Sequence, residues 1–306
     1  MLRRLSLPLA LIALAACRKQ EQAAAPPADT AFVVRDSFRT PESVLYDAAA
    51  DVYFVSNING NASAKDNNGF ISRLSPDGRV LALKFIEGGR NGVTLNGPKG
   101  MGIHGDTLFV ADIDALRMFS RTTGAALGAR DVPGATFLND VDVAPDGAVY
   151  FSDSGLKPDF SSSGTDAVYR LDHSGLHKLA HGTDLLRPNG VLADSTGVTV
   201  VAYAPTPAIY HLDLQGHRTN LPAPPVGALD GVVRLADGTL VVSSWADSSI
   251  FGMKPGSTMY LLMAHGIESP ADIGLDSKRN RLLVPVFNQN RIEVRPIAPA
   301  AAGHAQ

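Results

Sequence analysis

Leu229-Asp230-Gly231-Val232-Val233-Arg234-Leu235-Ala236-Asp237-Gly238-Thr239-Leu240-Val241-Val242-Ser243 reads as a short strand, an Asp-Gly turn and a second strand rich in β-branched residues. The same order recurs five more times. It starts at Pro41-Glu42-Ser43-Val44, Pro98-Lys99-Gly100-Met101, Leu138-Asn139-Asp140-Val141, Pro188-Asn189-Gly190-Val191 and Pro270-Ala271-Asp272-Ile273. The second residues of successive starts lie 57, 40, 50, 41 and 41 positions apart. Self-similarity at that period marks a repeat architecture.

Each start leads into a second run: Val52–Asn57, Thr107–Ala111, Ala148–Ser152, Val198–Ala202, Thr239–Ser243 and Arg281–Val286. A third run follows, as in Phe70–Leu74, Val168–Leu171 and Arg291–Val294, and then a weaker fourth. Four strands per unit predict an all-β fold, a six-bladed β-propeller of four-stranded antiparallel blades over 30–297. The sixth unit lacks an outer strand. Thr30–Phe38 has strand character, and we expect it to pair there, closing the ring and removing an open edge.

The 306 residues, 45% hydrophobic with a net charge of −3, suit one well-packed domain. No Lys/Arg cluster is present in the repeats, which argues against a nucleic-acid partner. Arg3 and Arg4 precede the short apolar run Leu5–Ala16, which is too brief to span a bilayer and reads as a signal peptide over 1–16. It ends in Leu14-Ala15-Ala16-Cys17, which resembles the bacterial lipobox, and Cys17 is the only cysteine. Lipidation at Cys17 would make the membrane a partner, with 17–29 as a polar, Ala/Pro-rich tether and 298–306 as a simple tail. Arg18 rather than Asp follows the cysteine. By resemblance to enterobacterial sorting, the expected location is the outer membrane, facing the periplasm.

In a propeller the innermost strands begin beside the axis, so equivalent residues face one another across a channel. Here that ring reads Glu42, Lys99, Asn139, Asn189, Asp230, Ala271. Converging carboxylate and amide oxygens suit a hard cation such as calcium. A zinc site would call for His or Cys, and neither occurs in the ring. The alternative is a polar channel whose groups satisfy one another through water.

These residues resemble the gluconolactonase/senescence marker protein (regucalcin) superfamily over most of 31–297, with paraoxonases as more distant relatives. The resemblance is carried by Pro41-Glu42, Asn139-Asp140, Pro145-Asp146-Gly147, Arg187-Pro188-Asn189-Gly190-Val191 and Leu229-Asp230-Gly231. It implies calcium, or another divalent cation such as manganese, magnesium or zinc, held by Glu42, Asn189 and Asp230. It also implies Asp230 as catalytic base and Asn139 against substrate or metal. Lys99 departs from that pattern. A charge there at roughly 7 Å from a bound dication would oppose it by up to about 5 kcal/mol at an effective dielectric near 20. Lys99 either points away, pairs with Glu42, or holds an anionic substrate.

Other candidates carry less. Asp140 and Asp272 follow ring residues in two repeats; Asp140 would steady Asn139, add a deeper ligand or serve an inner-strand turn. Asn57–Asn61 and Asp112–Asp114 leave strand ends near one mouth, but Asn and Asp are also turn residues. His181 and His265 share an Ala-His-Gly context and read as repeat structure, and Trp245 ends a middle strand, where it packs in the core or lines the mouth. No Gly-x-Ser-x-Gly, His-Glu-x-x-His or Cys-x-x-Cys occurs. The reading is therefore a metal-dependent hydrolase of a lactone or small ester, with a small-molecule substrate. Its rival is a non-catalytic, lipid-anchored propeller that binds a ligand or protein partner.

Overall fold

The computed structural model describes residues 30–35 and 38–297; the leader, Cys17, the tether and the tail lie outside the described residues. Six four-stranded antiparallel sheets follow one another around an axis. Their inner strands are Pro41–Asp47, Pro98–His104, Leu138–Val143, Pro188–Asp194, Leu229–Arg234 and Gly274–Asp276. Their middle strands, next outward, are Val52–Asn57, Thr107–Asp112, Val149–Asp153, Gly197–Ala202, Leu240–Ser244 and Arg281–Val286. The sixth sheet is completed by Phe32–Val34, which pairs antiparallel with Arg291–Pro296, setting Phe32 opposite Val294 and Val34 opposite Ile292. The ring is closed by the N-terminal strand, as expected.

Middle strands such as Val52–Asn57 and Gly197–Ala202 are buried along their whole length. Alternate residues face opposite sides of a sheet, and here both sides are covered by neighbouring blades. The core is accordingly divided into six apolar clusters, one at each blade–blade junction. Val34 joins Val44, Tyr53, Val55, Ile292 and Val294 at the junction that closes the ring.

Near the axis, five of the inner strands break register. Pairing skips from Pro41 to Val44, Pro98 to Met101, Leu138 to Val141, Pro188 to Val191 and Leu229 to Val232. Such a bulge turns a side chain out of the sheet, and the skipped residues include Glu42, Lys99, Asn139, Asn189 and Asp230. Middle-strand hydroxyls take up freed backbone groups. Ser43, Asp140 and Gly231 donate N–H to Ser56, Ser152 and Ser243 at 2.8–3.0 Å. Ser152 and Ser243 in turn donate to Asn189 O and Ala271 O of the next blade. At Gly190 a Cβ would lie 2.2 Å from Asp230 O, so only glycine lets these inner strands approach.

The sixth inner strand differs. Its regular ladder begins at Gly274, not Pro270. Pro285 accepts from the Ala271 N–H through its carbonyl, but proline has no N–H to return. The Ser243 hydroxyl satisfies Ala271 O instead.

Candidate functional site

Glu42, Lys99, Asn139, Asn189 and Asp230 line one cavity of about 160 Å³ at the channel mouth. The sixth ring member, Ala271, is fully buried and contributes no polar group. Four oxygens in the cavity are buried without a hydrogen-bond partner: Glu42 Oε2, Asn139 Oδ1, Asn189 Oδ1 and Asp230 Oδ1. Buried acceptors of this kind are costly unless something supplies positive charge or donors. One side chain is held from below: Asn139 Nδ2 donates to Ser154 Oγ at 3.0 Å, and that hydroxyl donates to Pro188 O at 2.6 Å. The amide nitrogen is therefore occupied and the amide oxygen faces the cavity.

The carboxyls are perturbed as a group. Burial pushes Glu42 well above the usual carboxylate range, with Asp230 and Asp272 adding to the rise and Lys99 opposing it. Asp230 is also raised, first by burial and then by Asp272. Trp245 Nε1 has no hydrogen-bond partner.

Lys99 makes no ion pair with Glu42 among the described residues. Its Nζ donates to Ala62 O and Gly97 O, both at 3.1 Å, and sits 4.2 Å from the Phe137 ring centroid. Burial lowers its pKa to about 8, against the pull of Glu42, Asp112 and Asp153. The repeat explains this placement. In five blades the residue after the middle strand donates its N–H to the carbonyl just before the inner strand: Ile58 to Thr40, Ser154 to Phe137, Tyr203 to Arg187, Trp245 to Ala228, Phe287 to Ser269. In the second blade the equivalent carbonyl, Gly97 O, accepts from Lys99.

Asp140 and Asp272 lie deeper, lining a second cavity together with Asp142. Asp140 accepts from the Val141 and Val191 N–H groups, both at 2.7 Å, so it ties two inner strands and does not touch Asn139's amide. Asp272 accepts from the Ser43 hydroxyl, and burial raises it to about 7. Of the loop candidates, Ile58 lines the cavity. Asp112 is spent on the Asn96 and Gly97 N–H groups and on Arg117. His181 and His265 end the outer strands Gly175–His181 and Leu261–His265, exposed and away from the channel.

Sequence reasoning singled out Trp245 and the loop of Ile58 but missed the second ring to which they belong. The residues after the middle strands read Ile58, Ile113, Ser154, Tyr203, Trp245, Phe287, and all but Ile113 line the cavity. Phe137, Leu156 and Phe160 complete its walls. Aligning the residue after each middle strand would have exposed this column, whereas Phe160 sits in an insertion that no repeat position predicts.

No protein-family model matches the sequence, and no curated protein does. Solved structures do match in fold. A gluconolactonase of Xanthomonas campestris shares 18% identity at a TM-score of 0.66, over 88% of this chain and 89% of that one. A gluconolactonase candidate shares 20% at 0.62, over 88% and 94%. A catalytically inactive virginiamycin B lyase from Staphylococcus aureus, solved with quinupristin, shares 12% at 0.59, over 88% and 99%. The shared fold is the six-bladed propeller that gluconolactonase structures adopt.

Proposed function

We propose that the chain is a divalent-metal-dependent hydrolase of a lactone or related small ester, acting at the channel mouth. The observation that carries the reading is the set of four unpartnered oxygens on Glu42, Asn139, Asn189 and Asp230. Two carboxylates and two amides, with no histidine or thiol on the cavity walls, fit a hard cation such as calcium, magnesium or manganese better than zinc. Such a cation, when bound, would polarise the substrate carbonyl and stabilise the oxyanion that develops on it.

The chain's own residues supply the rest. Asn139, fixed by Ser154, orients the substrate ring. Asp230 takes a proton from the attacking water, and the same proton goes to the ring oxygen as the C–O bond breaks, leaving a hydroxy acid. No histidine lines the cavity, so the Asp230 and Glu42 carboxyls are its candidate bases. Fold alone does not select this chemistry, since a lyase shares it.

The test is Asp230→Ala assayed on a panel of lactones and aryl esters with calcium present. We expect kcat/KM to fall by at least about a thousandfold with the thermal transition retained. Unchanged hydrolysis would remove Asp230 from the mechanism. A wild-type chain inert on the whole panel would favour the binding-protein reading.

A further inference from the structure

The floor of the cavity is polar and its walls are not. Ile58, Ala62, Phe137 and Leu156, with Phe287 against them, form a seventh apolar cluster that belongs to no blade–blade junction and lies at the channel mouth. Tyr203, Trp245 and Phe287 form a continuous aromatic row, with centroids 5.8 and 5.2 Å apart. Phe137 meets Phe160 edge-on at 6.1 Å.

Phe160 is the unusual member. It closes a turn in which its N–H donates to Lys157 O at 2.8 Å, and it does so at φ 61°, a left-handed conformation that bulky side chains seldom adopt. The residue is 53% exposed although it lines the cavity. A strained backbone that holds a phenyl ring at the lip of a pocket does nothing for the blade cores, because Phe160 belongs to none of the six junction clusters.

The polar groups on the walls are few: Ser154, Lys99, Tyr203 and Trp245, whose Nε1 has no hydrogen-bond partner. The Ser154 hydroxyl already accepts from Asn139 and donates to Pro188 O, and Lys99 is held by two carbonyls. Sugar hydroxyls directed at Ile58, Ala62, Phe137, Leu156 and Phe160 would find no partner there, whereas an alkyl or aryl group would match those walls.

We propose that the substrate is a lactone or ester bearing an apolar alkyl or aryl group, clasped between the Phe137–Phe160 pair and the Tyr203–Trp245–Phe287 row, with Phe160 as a specificity-determining residue. This rests on the hydrolase reading above, and the experiment separates the two. The full chain is assayed on γ-butyrolactones of increasing alkyl length, dihydrocoumarin and glucono-δ-lactone. In parallel, the emission of Trp245, the chain's one tryptophan, is titrated with β-tetralone, an unhydrolysable ketone shaped like dihydrocoumarin.

The expected result is a rise in kcat/KM of roughly fourfold for each added CH₂, the factor for burying one methylene, until the walls are filled. Glucono-δ-lactone should be the slowest substrate. In Phe160→Ala, the ratio of the dihydrocoumarin rate to that of unsubstituted γ-butyrolactone should fall about tenfold, and Phe160→Leu should restore most of it. A flat alkyl series, or a preference for glucono-δ-lactone that Phe160→Ala leaves in place, overturns the proposal while leaving the hydrolase intact. If no lactone opens but β-tetralone quenches Trp245, and binds about tenfold more weakly to Phe160→Ala, the apolar clasp stands and the hydrolase falls. No hydrolysis and no quenching overturns both.

Discussion

Lys99 is the residue at which sequence and structure diverge most usefully. Its place in the ring was legible, and so was the conflict between its charge and a bound dication. Its partners were not. They depend on the turn at Ile113, which has φ 57° and whose O accepts from Leu138 N–H, leaving Gly97 O to the lysine. The charge is thus drawn toward two carbonyls and the Phe137 ring without being neutralised by a carboxylate. Replacing it should separate two effects. Lys99→Met removes the opposing charge, and we expect calcium affinity to rise by about tenfold, equivalent to about 1.4 kcal/mol. It also strips a donor from Ala62 O and Gly97 O, at a cost of about 1–3 kcal/mol in cation-free stability. Calorimetric titration and denaturant unfolding read the two independently; an unchanged calcium affinity would show that the lysine is already clear of the site.

At the scale of the strand, the inner elements are tied by carboxyls as well as by backbone. Asp140 bridges to Val191 N–H, and two residues on Asp142 repeats the device, accepting from Val143 and Ala193 N–H at 2.8 and 2.7 Å. Burial raises Asp142 to about 6 and Asp272 to about 7, and lifts Asp140 as well. In the unfolded chain such carboxyls titrate near about 3.9. Between about pH 4 and 7 the folded chain therefore binds more protons than the unfolded one, so its stability falls as pH rises through that window. Asp172, held down at about 2 by the Ser174 hydroxyl and N–H and then by the Arg170 charge, acts in the opposite sense only below it. We predict that the cation-free chain is more stable at pH 4.5 than at pH 7, by on the order of 2 kcal/mol from Asp142 alone. Asp142→Asn should reduce that slope, whatever it does to the absolute level. Urea unfolding across the window checks this, and stability that rises from pH 4.5 to 7 would contradict it. None of this was visible in the sequence. An Asp one residue past the ring reads equally as ligand, support or turn, and only the register between blades three and four decides.

Across the whole molecule, six repeats, their order and the closing strand could all be read from spacing and strand pattern. They follow from a local code of proline or leucine start, turn and β-branched run, and each blade buries both faces against the next. The irregular offsets were equally legible, but their meaning was not. The two longest, 57 and 50, mark insertions after the first and third middle strands. These insertions bring Ala62, Leu156 and Phe160 to the mouth. Deviations from the repeat thus build the walls, while the repeat itself builds the floor. The floor carries the central proposal: four oxygens from four blades lack partners, and we propose that they hold a cation. The direct test is calorimetric titration of calcium into chelator-stripped protein, beside Asp230→Asn and Glu42→Gln. We predict one saturable site per chain that either substitution weakens at least about tenfold, a change of about 1.4 kcal/mol. No binding at millimolar calcium, or binding that both substitutions leave unchanged, would contradict the account.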